Sequence, residues 1–294
     1  MIQDIAPHVF HNEFHPDAAP NGDDRLILYR DGAFALHLSE DRQTMDFPRA
    51  SAFPKALEHA VYLFEMDGHA WFTPARLPDN LDRLCLEQGL EWVPFAGMRR
   101  SGTGPKMHMF ALYTAYHLME WYMDNRYCGR CGGKMEPDKT ERAMFCPACR
   151  RKVYPRINPA VIIGVINGDS LLLTRYRNGN GMNALVAGFT EIGETFEETV
   201  RREVMEETGL RVRNIRYYKS QPWGIAADIL AGYYCEVDGD DRIRMDQNEL
   251  RYAQWVQREE IELQPQPYSL TNEMMQEFKE GRIRSSLDLP AGLK

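Results

Sequence analysis

The strongest constraint on the fold is an acidic segment with helical spacing between Gly188 and Leu210, which reads GFTEIGETFEETVRREVMEETGL. It places Glu203, Glu206 and Glu207 within five residues. A helix turns about 100° per residue, so these glutamates share one narrow face. Carboxylates at that spacing repel one another unless a cation lies between them, and hard divalent cations such as Mg²⁺ or Mn²⁺ take oxygen ligands of this kind. The segment therefore predicts a metal-dependent hydrolase of phosphoanhydrides.

Local chemistry predicts that this segment is a helix with one buried side. Thr195 followed by Glu198 is the pattern of a capping box, and Gly209 supplies the left-handed residue with which many helices end. Apolar residues recur every four positions and form a stripe that must face a core. They are Phe196, Val200 and Val204.

Positions on the helical wheel decide between two interpretations of the glutamates. A solvated, charge-laced face is the usual state of a Glu-rich helix and would put the carboxylates opposite the apolar stripe. Glu197 and Glu198 lie there, together with Arg201 and Arg202, whereas the three clustered glutamates border the buried side. An unpaired charge there costs on the order of several kcal/mol. We therefore expect a bound metal or a set of hydrogen-bonded cations.

The segment resembles the Nudix box, G-x5-E-x7-R-E-U-x-E-E-x-G-U with U aliphatic, at every specified position. The resemblance implies an α/β Nudix fold, a mixed sheet between helices, and hydrolysis of a nucleoside diphosphate linked to another group. It also implies that the three clustered glutamates bind Mg²⁺ or Mn²⁺, one of them helping to activate water. Arg202 would hold a glutamate in place, and Glu194 would support the loop before the helix.

Four cysteines lie just upstream in the pattern C-x2-C-x14-C-x2-C, which is near the spacing of a zinc ribbon. Four thiolates would close the coordination shell, so the zinc would be structural. A pair of disulfides is the alternative and requires an oxidising compartment. The amino terminus lacks the basic run and apolar core of a secretory signal, so we expect Zn²⁺ and a cytoplasmic location. The cysteines are Cys128, Cys131, Cys146 and Cys149.

A zinc ribbon directly before a Nudix domain resembles the NADH pyrophosphatase branch, whose members also hydrolyse the NAD cap of RNA. That branch carries S-Q-P-W-P-F-P-x-S after the Nudix helix, and residues 220–228 read SQPWGIAAD. Trp223 offers a flat face for a nicotinamide or adenine ring, with core packing as the alternative, and Gln221 offers an amide. Asp228 stands where the branch has serine, and a negative charge there would select against an extra phosphate.

Three further residues carry expectations that come from the resemblance. Tyr154 precedes the first Nudix strand and would line the nicotinamide side, and Phe189 is the other ring-stacking candidate. Glu249 matches a downstream glutamate that completes the metal site. Nothing in its local sequence shows this role, so an ordinary surface glutamate is the alternative.

Length and composition bound the organisation of the chain. With 294 residues, 44% hydrophobic and 27% charged, it is expected to fold into two or three globular units. We expect an α+β domain at 1–125, the ribbon at 126–153 and the Nudix domain at 154–294. A net charge of −8 argues against general nucleic-acid affinity, and no apolar run approaches the roughly 18 residues of a membrane span. A helix at 107–123, rich in methionine and aromatic residues, is expected in a core or a subunit interface.

The resemblance to the NADH pyrophosphatase branch implies an enzyme that hydrolyses the diphosphate of NAD(H) to AMP and nicotinamide mononucleotide, with NAD-capped RNA as a further substrate. By the resemblance it would be a homodimer. The altered segment after Trp223 leaves another nucleoside diphosphate derivative open, such as ADP-ribose or a dinucleoside polyphosphate. A nucleotide-sensing regulator without turnover is a rival from another class. The intact set of box glutamates and the acidic net charge argue against it.

Overall fold

The computed structural model describes residues 1–54, 57–178 and 181–285, with the backbone alone for Arg99 and Arg100. The chain divides into two compact units. The amino-terminal unit comprises Ile2–Arg156 together with Gly224–Ala226. The carboxy-terminal unit comprises Met1, Ile157–Trp223 and the chain from Ala227 onward.

The amino-terminal unit begins with short strands and three helices: β1 Phe10–His11, β2 Arg25–Leu26, β3 Tyr29–Arg30, β4 Ala33–Leu38, β5 Met45–Asp46, β6 Ala60–Met66, β7 His69–Pro74, β8 Glu91–Pro94, α1 Leu81–Glu87, α2 Phe95–Ser101 and α3 Lys106–Asp124. One sheet has the order β1-β6-β7-β2. A second has the order β3-β4-β5, with β8 also paired to β4. Helix α3 confirms the long helix expected at 107–123. Its large side chains, Phe110 and Trp121 among them, are buried within this unit, so the helix contributes to a core.

The ribbon closes the amino-terminal unit with three two-residue strands. These are β9 Glu136–Pro137, β10 Met144–Phe145 and β11 Lys152–Val153, in the order β11-β10-β9. Trp121 from the end of α3 packs with Met135, Met144 and two of the cysteines in one small cluster. A sheet this small cannot bury enough apolar surface to be stable by itself. The cysteine sulfur atoms occupy much of the centre of the ribbon.

The carboxy-terminal unit is built on one mixed sheet. Its elements are β12 Asn158–Asn167, β13 Ser170–Tyr176, β14 Val186–Phe189, β15 Val212–Trp223, β16 Asp228–Val237, β17 Leu250–Gln257, α4 Phe196–Thr208 and α5 Leu270–Lys279. The strand order is β15-β16-β12-β13-β17, with β14 also paired to β12. The β12–β16 pair is parallel and the other pairs are antiparallel.

Both faces of this sheet are covered, because the central strand alternates apolar residues toward two cores. Ile163 on one face packs in a cluster with Val200 and Val204 of α4. Ile162 on the other face packs in a cluster with Phe278 of α5. The expected architecture, a mixed sheet between helices preceded by a ribbon and a small α+β unit, is confirmed.

Helix α4 begins and ends where its sequence predicts. The Thr195 hydroxyl accepts from the Glu198 amide, while the Glu198 carboxylate accepts from the Thr195 amide, so the capping box is complete. Gly209 has φ 69° and ends the helix in the left-handed conformation, which costs a glycine little. In the described ranges, none of the helices has both the length and the apolarity needed to cross a bilayer.

Candidate metal centre and zinc ribbon

The four ribbon cysteines form a compact cluster of free thiols. All four sulfur atoms lie within 4.8 Å of one another, and the Cys128–Cys149 and Cys131–Cys146 pairs are 3.5 Å apart at Sγ. A disulfide requires about 2.05 Å, whereas thiolates around a tetrahedral zinc are separated by about 3.8 Å. The backbone amide of Arg130 donates to Cys128 and lowers the pKa of that thiol, which favours the thiolate that binds a metal. The donor set therefore fits a structural zinc and not two disulfides.

The backbone at Gly133 passes close to this cluster. A Cβ there would lie 3.4 Å from Sγ of Cys131 and 3.5 Å from Sγ of Cys146, which are ordinary contact distances. It would lie 3.3 Å from Cβ of Ala148, which is slightly tight.

Arg202 lies at the centre of the carboxylates that the Nudix box contributes. Its Nε and Nη2 atoms hold the two oxygens of Glu194 at 2.6 and 2.9 Å. Its Nη1 atom donates to Glu203 at 2.7 Å and to Glu206 at 2.9 Å. The guanidinium holds the pKa of Glu194 well below its usual range. The wheel placed Arg202 on the solvated side, and this was wrong, because its long side chain folds back along the helix to reach the carboxylates.

The three clustered glutamates differ sharply in exposure. The Glu203 and Glu206 side chains are 12% and 59% exposed, and Glu207 is 2% exposed. The expectation that all three border the buried side is therefore wrong for Glu206, which points to solvent and is paired with Arg202. Burial raises the pKa of Glu203, and the nearby charges of Glu206 and Glu249 raise it further, although Arg202 opposes both.

Gly188, the first residue of the box, allows the closest approach in the site. A Cβ built on Gly188 would lie 2.0 Å from the carboxyl carbon of Glu203. Strand β14 therefore passes directly beneath this carboxylate. A side chain at this position would displace the Glu203 carboxylate from its place, which is a physical reason for glycine here.

The surroundings of Glu207 disfavour a negative charge on its carboxyl group. It is buried and lies one residue before the end of α4, where the helix dipole disfavours negative charge. Burial raises its pKa to about 8. The hydroxyl of Tyr176 lies 3.0 and 3.2 Å from its two oxygens. Nothing in the sequence pattern pointed to Tyr176, because it lies on β13, 31 residues before Glu207 in the chain.

Glu249 is brought toward these carboxylates by backbone contacts of its loop. The amide of Arg177 donates to the Glu249 carbonyl at 2.9 Å, and the amide of Asp246 donates to the Glu207 carbonyl at 2.9 Å. The charge of Glu249 raises the pKa of both Glu203 and Glu207, so it lies within electrostatic reach of them. Over the described residues, Glu207 and Glu249 have no ion-pair partner within 4.0 Å.

The described side chains include one compact set of ligand atoms, the four cysteines. The glutamates are less tightly grouped, since Arg202 lies between two of them. Their oxygen donors are nevertheless of the type that Mg²⁺ and Mn²⁺ prefer. The group comprises five carboxyl groups, of which Arg202 contacts Glu194, Glu203 and Glu206.

The predicted ring-binding residues lie in different places. Phe189 is exposed at the end of β14, and its carbonyl accepts from Nη2 of Arg202 at 2.9 Å. Trp223 is half-buried, packs against the core on the α5 side and pairs in register with Asp228. Asp228 is buried, and Nδ2 of Asn158 donates to it at 3.5 Å.

The prediction that Gln221 offers its side-chain amide to a ligand is wrong. Its side chain is fully buried, Nε2 donates to the Tyr268 carbonyl at 2.8 Å, and Oε1 accepts from the Leu270 amide at 2.6 Å. Because both ends of the amide are bonded to backbone at the start of α5, the side chain anchors that helix. It does not present its amide to a ligand.

Tyr154 belongs to the amino-terminal unit and is braced by the ribbon. Its ring is exposed, and its hydroxyl donates to Glu141 at 3.0 Å. Lys152 contacts Glu141 and Asp138 at 2.8 Å each. Sequence reasoning missed Glu141, since a glutamate in a turn carries no local signal.

The structure explains one difference between residues 220–228 and the branch motif, which is glycine in place of proline at position 224. Gly224 lies in the amino-terminal unit, where a Cβ would be 2.2 Å from the carbonyl oxygen of Tyr113. The proline of the branch motif would therefore require the backbone to move.

Comparisons with known proteins agree with these features. Residues 156–278 match the NUDIX domain, and residues 124–154 match the NADH pyrophosphatase zinc ribbon domain. The NAD-capped RNA hydrolase NudC of Shigella flexneri is 42% identical over 161 residues, which are 54% of this chain and 62% of that protein. NudC of Escherichia coli O9:H4 (strain HS) is 41% identical over the same shares of the two chains. The chain thus spans 62% of the length of these curated relatives.

Among solved structures, a NUDIX hydrolase from Nitrosomonas europaea has a TM-score of 0.47 at 21% identity, covering 53% of this chain and 92% of that chain. By the matched family models, residues 156–278 form a NUDIX domain that directly follows a zinc ribbon of the NADH pyrophosphatase type at residues 124–154.

Proposed function

We propose that this protein hydrolyses the central diphosphate of NAD(H), giving AMP and nicotinamide mononucleotide, and that the same site removes the NAD cap from RNA. The observation that carries the proposal is the group of box carboxylates around Arg202 and Glu207, in a chain that also has an NADH pyrophosphatase zinc ribbon. Capped RNA extends from the adenosine ribose, so its diphosphate is unchanged.

Glu203, Glu206, Glu207 and Glu249 are the proposed ligands of Mg²⁺ or Mn²⁺. When bound, such a metal neutralises charge on the diphosphate and lowers the pKa of a bound water. Cleavage of a phosphoanhydride otherwise demands little covalent chemistry from the protein, so positioning and electrostatics suffice. One box glutamate accepts the proton of the attacking water. Arg202 holds the strand end at Phe189 and the loop at Glu194 in a fixed relation to the helix.

On the substrate side, we propose that Phe189 and Trp223 stack on the rings of the dinucleotide. The ring of Phe189 is exposed and therefore accessible to a ligand. Tyr154 is a separate proposal for a substrate contact and rests on the family resemblance. Asp228 is proposed to tune selectivity by disfavouring an additional phosphate nearby.

The remaining proposals concern organisation. We propose functional domains at 1–125, 126–153 and 154–294, with Zn²⁺ stabilising the second. A cytoplasmic location is supported by the free thiols, including buried Cys85 and Cys235, because a reducing compartment preserves them. A homodimer is proposed on the family resemblance alone, and light scattering of the purified chain tests it.

Product analysis tests the function directly. The full-length protein is incubated with NADH, or with NAD-capped RNA, in Mg²⁺ or Mn²⁺, and the products are identified by mass spectrometry. Glu207→Gln should lose turnover, whereas Glu197→Gln, an exposed glutamate on the same helix, should keep it. Full activity of Glu207→Gln, or no cleavage of either substrate by the wild type, would contradict the proposal.

A second candidate is supported by the segment after Trp223, which matches the branch motif only in its first four residues. The same assay with ADP-ribose and a dinucleoside polyphosphate tests it. Faster cleavage of either than of NADH would assign the site to that substrate.

A further inference from the structure

The hydroxyl of Tyr176, at the end of β13, lies between Glu207 of α4 and the backbone of β14. Its oxygen is 3.0 Å from Oε1 and 3.2 Å from Oε2 of Glu207. The backbone amide of Ala187 in β14 donates to the same oxygen at 3.0 Å. One phenol therefore connects β13, β14 and α4.

The direction of these hydrogen bonds follows from the donors present. Because the Ala187 amide donates to the phenol oxygen, the single hydroxyl proton is available for another acceptor. The carbonyls of Leu185 and Ala187 lie at 3.5 and 3.4 Å, whereas the Glu207 oxygens are nearer. As a metal ligand Glu207 is a carboxylate, and a charged acceptor makes the stronger bond. The proton is therefore donated to Glu207.

The other carboxylates are held differently. Glu203 and Glu206 are both oriented by the guanidinium of Arg202. Glu207 is not paired with that cation, and it is only 2% exposed, so bulk water does not orient it. Over the described ranges, Tyr176 is the side chain that donates to it.

We propose that Tyr176 is a positioning residue that fixes the orientation of the Glu207 carboxylate for a divalent cation. This inference rests on the proposed function, because it assigns Glu207 to the metal. By engaging the carboxylate from the β13 side, the phenol restricts its rotation, and each carboxylate oxygen keeps a lone pair for a cation. Hydrogen-bonding partners of metal ligands restrict ligand orientation in this way, and their loss commonly weakens metal binding by about 10- to 100-fold.

The test is Mn²⁺ affinity of the full-length protein, measured by calorimetry and by the electron paramagnetic resonance signal of free Mn²⁺. Tyr176→Phe removes only the hydroxyl, and we expect its dissociation constant to rise about 10-fold or more. Two matched variants serve as controls. Tyr234→Phe removes a buried hydroxyl that donates to the Met274 carbonyl at 2.8 Å, and Tyr252→Phe alters a ring that lies over Arg175 on the neighbouring strand.

The outcomes are distinguishable. A weakened affinity in Tyr176→Phe with wild-type affinity in both controls supports the inference, since a general loss of stability would affect Tyr234→Phe as well. Wild-type affinity in Tyr176→Phe would overturn the inference and leave the proposed function intact. Absence of Mn²⁺ binding by the wild type would overturn both.

Discussion

Replacing Glu207 by glutamine should make the metal-free protein more stable while abolishing its proposed activity. In the fold the pKa of Glu207 is about 8, against 4.5 for an ordinary glutamate. The unfolded chain loses this proton near pH 4.5 and the folded chain does not until about pH 8. Stability therefore falls as the pH rises between these values. At pH 7 the cost is about 3 kcal/mol, from about 1.4 kcal/mol for each pH unit above 4.5.

Glutamine has the same shape and no charge, so Glu207→Gln should gain most of that energy at pH 7, more at pH 8 and nothing at pH 4. Native-state hydrogen exchange of peptides from α4, in buffer free of Mg²⁺ and Mn²⁺, measures the opening free energy of this unit separately from the other. Glu197→Gln is the control, because its side chain is exposed and should show no gain.

Added Mg²⁺ or Mn²⁺ should narrow or reverse the difference, since a ligand that binds the folded wild type stabilises it by mass action. If Glu207→Gln protects α4 no better than Glu197→Gln at pH 8 without metal, the assignment of Glu207 as a poorly solvated carboxylate is refuted.

Three further predictions follow from single contacts. Gly188→Ala should weaken Mn²⁺ binding measured by calorimetry, because the new Cβ would occupy the place of the Glu203 carboxylate. Unchanged affinity would contradict this, since it would mean that strand β14 or the carboxylate moves aside at little cost. Gln221→Met should lower the free energy of urea unfolding by about 2 kcal/mol, because two backbone groups at α5 lose their partners, with KM for NADH unchanged; a raised KM at wild-type stability would restore its substrate role. Removal of zinc with a chelator should increase amide exchange of residues 128–152 before that of α4, and equal protection with and without zinc would contradict a structural zinc.

The acidic helix shows how far local chemistry reaches. Its start at the capping box of Thr195, its end at Gly209 and its apolar stripe depend on contacts within a few residues, and all were predictable. The place of Arg202 was not, because a long flexible side chain can turn to either side of its helix. The exposure of Glu206 was missed for a related reason. A helical wheel gives the direction of each side chain from the helix axis, but it does not show which elements pack against the helix in that direction.

The amide of Gln221 illustrates the same limit. A match to a family motif indicated a polar contact at this residue, but its partner was the backbone of α5, some 47 to 49 residues away in the chain. The sequence alone indicated the Nudix box, the helix with its carboxylates and the cysteine cluster, because each depends on spacing, capping or hydrophobic periodicity, and the mixed sheet followed from the family resemblance. Only the tertiary structure decided which carboxylate is buried, that one guanidinium, Arg202, contacts both Glu203 and Glu206, and that Tyr176 contacts Glu207. These contacts depend on which strands pack against α4. A contact between segments that are far apart in the chain produces no periodic pattern in the sequence of either segment.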